Sequence, residues 1–305
     1  MEAKNKVSIP SFCRGGPAWP PASVSEDGRP RRAAPTIIVT PFIIYLVSLL
    51  LGLLVGSFLN VCILRIPKGE SVVFPRSHCP ECGKTIPWYD NIPVLSFLFL
   101  KWRCRFCGGR ISFQYPWVEL LTALLALACA VKFRTPPQAA LWFFTFLCPL
   151  IVISGIDLRH RLIPDKISLP FIAIGVAVHV VAGGFPRWQD ALMDSFLGIL
   201  VGGGALLLVM KTYEWIRKQE GMGLGDVKLA AMIGAFLGWK AILIVFVLSS
   251  LMGSVVGIFF MIFGGMGLRS ELPYGPFLSL AAALQLFFGR AILRGYFELV
   301  QKIFH

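Results

Sequence analysis

Residues 241–268 read AILIVFVLSSLMGSVVGIFFMIFGGMGL, an uncharged run bounded by Lys240 and Arg269. A helix needs roughly 20 apolar residues to cross the hydrocarbon core of a bilayer, so this run predicts a membrane span. Three other stretches behave alike: no charged side chain lies between Arg32 and Arg65, between Arg134 and Asp157, or between Lys166 and Arg187. The whole chain of 305 residues is 56 % hydrophobic and 15 % charged, with a mean hydropathy of +0.73. Soluble domains carry about 25 % charged residues. This composition excludes a secreted enzyme, a Rossmann dehydrogenase and a disordered scaffold.

Working outward, the apolar segments fall at about 37–64, 117–131, 139–156, 167–182, 193–213, 226–238, 241–263 and 275–297. The expected architecture is therefore an all-α, polytopic bundle of about eight transmembrane helices. Four parts follow: a tail over residues 1–36, a first transmembrane helix over 37–64, a polar insertion over 65–116, and a bundle over 117–300. The tail is rich in Pro, Gly and Arg without periodicity and reads as disordered. It has no signal-peptide pattern, because the apolar segment that follows is too long for one.

The net charge of +13 points to basic loops on the cytoplasmic side rather than to nucleic acid. With the 65–116 insertion inside, the loops on its side hold sixteen Lys and Arg, from Arg65 to Arg269, against seven on the other side, from Lys132 to Lys302. The six basic residues of the tail oppose this orientation. Either the insertion dominates the topology or the tail extends upstream of a natural start.

The insertion contains Cys79-Pro80-Glu81-Cys82-Gly83 and Cys104-Arg105-Phe106-Cys107-Gly108, two C-x-x-C-G turns with 21 residues between them. Each turn aims two thiolates at one point, and the glycine lets the chain fold back. Four thiolates make a closed tetrahedral zinc site, structural because no position stays open for water. A thiol redox pair or two disulfides is the competing reading, but disulfides are rare in the cytoplasm. One Zn per chain, held by Cys79, Cys82, Cys104 and Cys107, would replace the core that some fifty residues cannot build.

Ionisable residues inside membrane helices are costly and mark function. His179 reads as a residue near the opposite interface, and Glu119 as a helix-start acid favoured by the dipole. Asp165 follows Pro164 and reads as an N-cap. Asp226, within Gly221-Met222-Gly223-Leu224-Gly225-Asp226-Val227-Lys228-Leu229, can be an N-cap too, but its alternating glycines allow a strand to approach the backbone. Asp157, at the end of a span on the same side, has no such explanation. Two carboxylates at one depth suit an aspartic protease, in which one proton is shared between a base and an acid. Gly223, Gly225 and Lys228 then fall where the substrate backbone would approach. Neither H-e-x-x-H nor G-x-S-x-G occurs, which removes those metalloprotease and serine-hydrolase motifs.

Five ordered motifs now resemble one family: Gly56-Ser57-Phe58-Leu59-Asn60-Val61, the paired cysteine turns, Asp157 with Leu162-Ile163-Pro164-Asp165, the Gly221–Leu229 stretch, and Pro273-Tyr274-Gly275-Pro276-Phe277-Leu278. They are similar to the motifs of bacterial prepilin peptidases, the type IV leader peptidases of the G-x-G-D type, over about residues 45–285. The resemblance implies a multi-pass inner-membrane aspartic endopeptidase with Asp157 and Asp226 as its catalytic pair. Its substrates would be type IV prepilins or type II secretion pseudopilins, cut after a short basic leader at the cytoplasmic face. It also implies N-methylation of the new terminus with S-adenosylmethionine, for which no binding residues can be named. The long tail departs from the family pattern.

Other classes fit less well. A presenilin-like protease would carry a Pro-Ala-Leu motif in a later helix, and none is present. A polytopic transporter with a zinc-stabilised loop is the alternative outside the enzymes, and it calls for paired repeats with helices broken at the midplane. A platform for protein interactions leaves both aspartates unexplained.

Overall fold

The computed structural model describes residues 41–133, 135–183, 188–218, 223–263 and 272–303. The tail expected over 1–36, the start of the first span, and Gly221 and Met222 of the glycine-rich motif lie outside these residues, as do Arg134, Arg187 and Arg269 of the charge comparison.

The chain is an all-α polytopic bundle. Helix α1 (Pro41–Arg65) is followed by the polar insertion, which holds a tight turn at Trp88–Asn91 and the short α2 (Leu95–Phe99). Then come α3 (Gln114–Lys132), α4 (Pro136–Trp142), α5 (Cys148–His160), α6 (Asp165–Gly183) and α7 (Trp188–Arg217). The series ends with α8 (Leu224–Leu237), α9 (Trp239–Phe263) and α10 (Gly275–Ile303). A widened π-helical turn at Phe143–Leu147 joins α4 to α5. It stands just before Pro149, whose missing N–H leaves a gap in the regular ladder.

Among the described residues seven helices are long and apolar enough to cross a membrane, with α4 and α5 counted as one crossing, Pro136–His160. The segment that brought the expected number to about eight is α8. Its 14 residues rise only about 21 Å, short of the roughly 30 Å of a bilayer core. Protein surrounds it instead: every residue from Leu229 to Phe236 is buried. The last carbonyls of α8 are met by side chains of its neighbours. Ser195 Oγ donates to Ala235 O at 2.6 Å, and His179 Nδ1 lies 2.8 Å from Phe236 O while its Nε2 faces Asp194 Oδ2 at 3.2 Å. His179 thus lies on α6 at the end away from Asp165.

Small residues let these helices approach. A β-carbon on Gly52 would lie 2.6 Å from Ala123 Cα, and one on Gly56 2.6 Å from Glu119 Cα, so α1 and α3 meet backbone to backbone. Gly198 of α7 and Gly234 of α8 face each other in the same way, and a β-carbon on either would strike the other's carbonyl. Such contacts replace the hydrophobic drive that lipid does not supply between helices.

Candidate active site

Asp157 stands in the last turns of α5, buried beside Ile153 and Ile156. The helix stops at Arg161, whose left-handed backbone (φ 51°) sends the chain back, with its N–H on Asp157 O at 2.9 Å. The return strand Leu162–Pro164 leads directly into α6, which Asp165 opens.

Asp226 is the third residue of α8. Gly223 occupies the cap position, no side chain caps the helix, and the Asp226 amide donates to Gly223 O at 3.2 Å. The N-cap reading of Asp226 is therefore replaced by a side chain within the first turn. Gly225 explains the approach: a β-carbon there would lie 2.8 Å from Ile163 Cβ, so only glycine lets the start of α8 press against the return strand after Asp157. Gly223 has open space where its β-carbon would stand, the nearest atom being 3.8 Å away.

Both aspartates line one cleft of about 880 Å³, together with Arg161, Ile163, Gly223, Gly225, Lys228 and Tyr274. They are close enough for the charge of Asp157 to act on Asp226. Asp157 Oδ2 accepts the Gly275 N–H at 3.1 Å. Gly275 opens α10, and the Tyr274 hydroxyl just before it lies 2.6 Å from Ser249 Oγ of α9. Asp165 lines the same cleft, but its Oδ1 is engaged by Lys228 Nζ at 2.6 Å.

The four loop cysteines also meet. Their sulfurs all lie within 4.8 Å of one another, and Cys79 Sγ is 3.8 Å from Cys107 Sγ. That last distance is the edge of a tetrahedron whose corners lie about 2.3 Å from a central zinc. The two turns are built alike. Gly83 and Gly108 take φ of 69° and 73°, their amides donate to Cys79 O and Cys104 O at 2.9 Å, and short antiparallel bridges close each turn at His78–Thr85 and Arg103–Arg110. The backbone amides of Cys107 and Phe106 pull the Cys104 thiol down to about 7. No disulfide joins these cysteines.

Two residues gain a place that their local sequence did not indicate. Glu119 is the sixth residue of α3 rather than an acid at its start. It is buried, and its Oε2 accepts the Val94 N–H at 2.8 Å. Gly275 was only one letter of a motif, and its contact with Asp157 bridges 118 positions, beyond any local signal.

The fold and this cleft define a multi-pass membrane protein with two acids converging at one end of its bundle. Residues 144–258 match the type IV leader peptidase family, and residues 50–133 match the bacterial peptidase A24 N-terminal domain. A prepilin leader peptidase/N-methyltransferase of Myxococcus xanthus is 43 % identical over 229 residues, 72 % of this chain and 64 % of the relative. Relatives of the same name in Xanthomonas campestris and Pseudomonas aeruginosa are each 36 % identical, over 269 and 283 residues. Those alignments take in 81 % and 85 % of this chain and 92 % and 95 % of the relatives. No solved structure matches significantly. The chain belongs to the type IV leader peptidase family and is an enzyme, a peptidase. Nothing favours the transporter reading.

Proposed function

We propose that this protein removes the leader peptides of type IV prepilins or type II secretion pseudopilins with Asp157 and Asp226, at the cytoplasmic face of the bacterial inner membrane. One observation carries the reading: α5 and α8 bring these two acids, 69 positions apart in the sequence, into a single cleft. Two carboxylates so close favour one shared proton. Asp157 Oδ2, which accepts the Gly275 amide, belongs to the unprotonated partner, and Asp226 holds the proton. Asp157 takes a proton from water as the oxygen attacks the scissile carbonyl carbon, and Asp226 gives its proton to the carbonyl oxygen. When the tetrahedral intermediate collapses, Asp157 passes its proton to the leaving nitrogen and Asp226 recovers one from a hydroxyl. Gly223, with space above its backbone, lies where a substrate strand can be held. Lys228, already paired with Asp165, shapes the rim and takes no part in the chemistry.

The substrates suit the place. A leader stays in water while the helix behind it enters lipid, so the bond to be cut lies at the level of the helix ends that carry the aspartates. The relatives' names add an N-methyltransferase activity, for which the new terminus would be the acceptor here. S-adenosylmethionine would supply the methyl group, and the described residues assign it no place. The four cysteines fit zinc as a structural ion that ties the two turns of the loop together. The test is to mix the purified protein in detergent with a prepilin and follow both products by mass. Loss of the leader with a new N-terminus just after it is the expected result, and an intact prepilin under conditions where the protein stays folded would defeat the reading. Methyl-labelled S-adenosylmethionine in the same reaction should leave label on the mature chain.

A further inference from the structure

The insertion between α1 and α3 keeps a set of large apolar side chains that the peptidase chemistry does not use. In and around α2, Ile92, Leu95, Leu98, Phe99 and Trp102 are exposed, Phe99 to 83 %. Ser96 and Phe97, on the other face of the same turn, are buried. The backbone turns sharply at both ends of α2. Val94 has φ of 60°, and Lys101 and Trp102 follow α2 at 48° and 67°, a conformation that side chains rarely adopt and β-branched ones least of all. Trp102 N closes the turn on Phe97 O at 3.1 Å.

The anchor of this segment fixes its depth. Val94 N donates to Glu119 Oε2 at 2.8 Å, and Ser57 of α1 lies beside the same carboxyl. Glu119 stands five residues inside the crossing helix Gln114–Lys132, which is roughly 7 Å below its mouth. A segment docked there lies beside the two spans rather than free in the water above them.

We infer that α2 and its flanking turns are inserted in the lipid leaflet that surrounds α1 and α3, as an interfacial anchor for the cysteine module. The exposed side chains then face acyl chains, at the 5–10 Å depth typical of helices lying in the interface. Trp88, Trp102 and Trp117, all exposed, fall in the belt where indoles gather. Lys101 and Arg103 come directly after the apolar turn and are exposed too, so they reach the headgroup level and favour anionic lipid. Glu119 is a positioning residue. Buried and uninvolved in the cleft, it offers the acceptor that the Val94 N–H would otherwise lack in a medium without water.

The test uses the full chain with a photoreactive side chain, Phe99→benzoylphenylalanine, reconstituted in vesicles of phosphatidylcholine alone or mixed with phosphatidylglycerol. After illumination, mass spectrometry of the peptide that contains position 99 should find lipid adducts, with a higher yield in the mixed vesicles. Adding Glu119→Ala should abolish the adducts, and Glu119→Gln, which keeps an acceptor oxygen, should retain them. Crosslinks to a second copy of the chain or to added prepilin in place of lipid, or no adduct at all, would overturn the inference. So would a yield indifferent to Glu119→Ala or to anionic lipid. The unaltered background of the Phe99 probe keeps the first arm decisive even where Glu119→Ala does not fold, and cleavage of prepilin is read separately from all of these outcomes.

Discussion

Replacing Gly275 with alanine puts the proposed chemistry under direct load. The new β-carbon would lie 2.6 Å from Asp157 Oδ2 and 3.2 Å from its Cγ, with Ile163 Cδ1 at 3.4 Å. Ordinary contact begins near 3.4 Å, so the carboxylate has to retreat by about 0.8 Å. The retreat also breaks the 3.1 Å hydrogen bond from the Gly275 amide. A displacement of about 1 Å at a reacting group costs roughly 100-fold in rate, and that is the expected fall in prepilin cleavage by the purified variant. The fall should appear in kcat, with metal content and thermal midpoint close to those of the parent. Gly257→Ala is the companion, because a β-carbon there meets nothing closer than 3.6 Å and should leave cleavage unchanged. Cleavage by Gly275→Ala within a few-fold of the parent would refute both the placement of the Asp157 carboxylate and the role given to the Gly275 amide.

The remaining tests bear on other parts of the reading. Asp157→Ala and Asp226→Ala should each abolish leader removal while the protein still accumulates in the membrane, and Asp165→Ala should retain activity; near-normal cleavage by either of the first two removes the pair. Because one proton is shared between the two acids, the pH profile of cleavage should be a bell, falling on the acid side as Asp157 is protonated and on the alkaline side as Asp226 loses its proton; a flat profile contradicts a carboxylate pair. Elemental analysis should find one zinc per chain, lost in Cys79→Ser combined with Cys82→Ser and lost progressively as the pH is lowered, since protons compete for the thiolates. Thiol probes placed near Arg134 or Arg187 should be labelled from outside the cell, and probes near Lys84 or Arg217 should not; the reverse pattern puts the cleft on the wrong face for a cytoplasmic leader.

Much of this was legible in the sequence because its causes are local. Uncharged runs of the length of residues 241–268 announce crossing helices, and a C-x-x-C-G turn brings its two sulfurs together whatever surrounds it. The fate of residues 226–238 was not legible in the same way. An apolar helix looks alike whether lipid or protein covers it, and only the facing Gly198 and Gly234, with Ser195 and His179 at the far end, show that α8 is enclosed. Glu119 was hidden for a related reason, since its partner is a backbone amide 25 positions away in a loop without periodicity. The convergence of Asp157 with Asp226 could be suspected from their common side, but the glycines that permit it act at a distance: Gly225 on Ile163, and Gly275 on Asp157 itself.

The enclosure of α8 bears on how the protein is made. A segment of 14 residues is too short to be held across a bilayer by lipid alone, and it carries Asp226 with it. It is held chiefly by α7, with which it shares the glycine crossing, and by α6, and both precede it in the chain. The amide that holds Asp157 comes later still, from Gly275 at the start of α10, so a chain cut short before that point leaves the carboxylate without this donor.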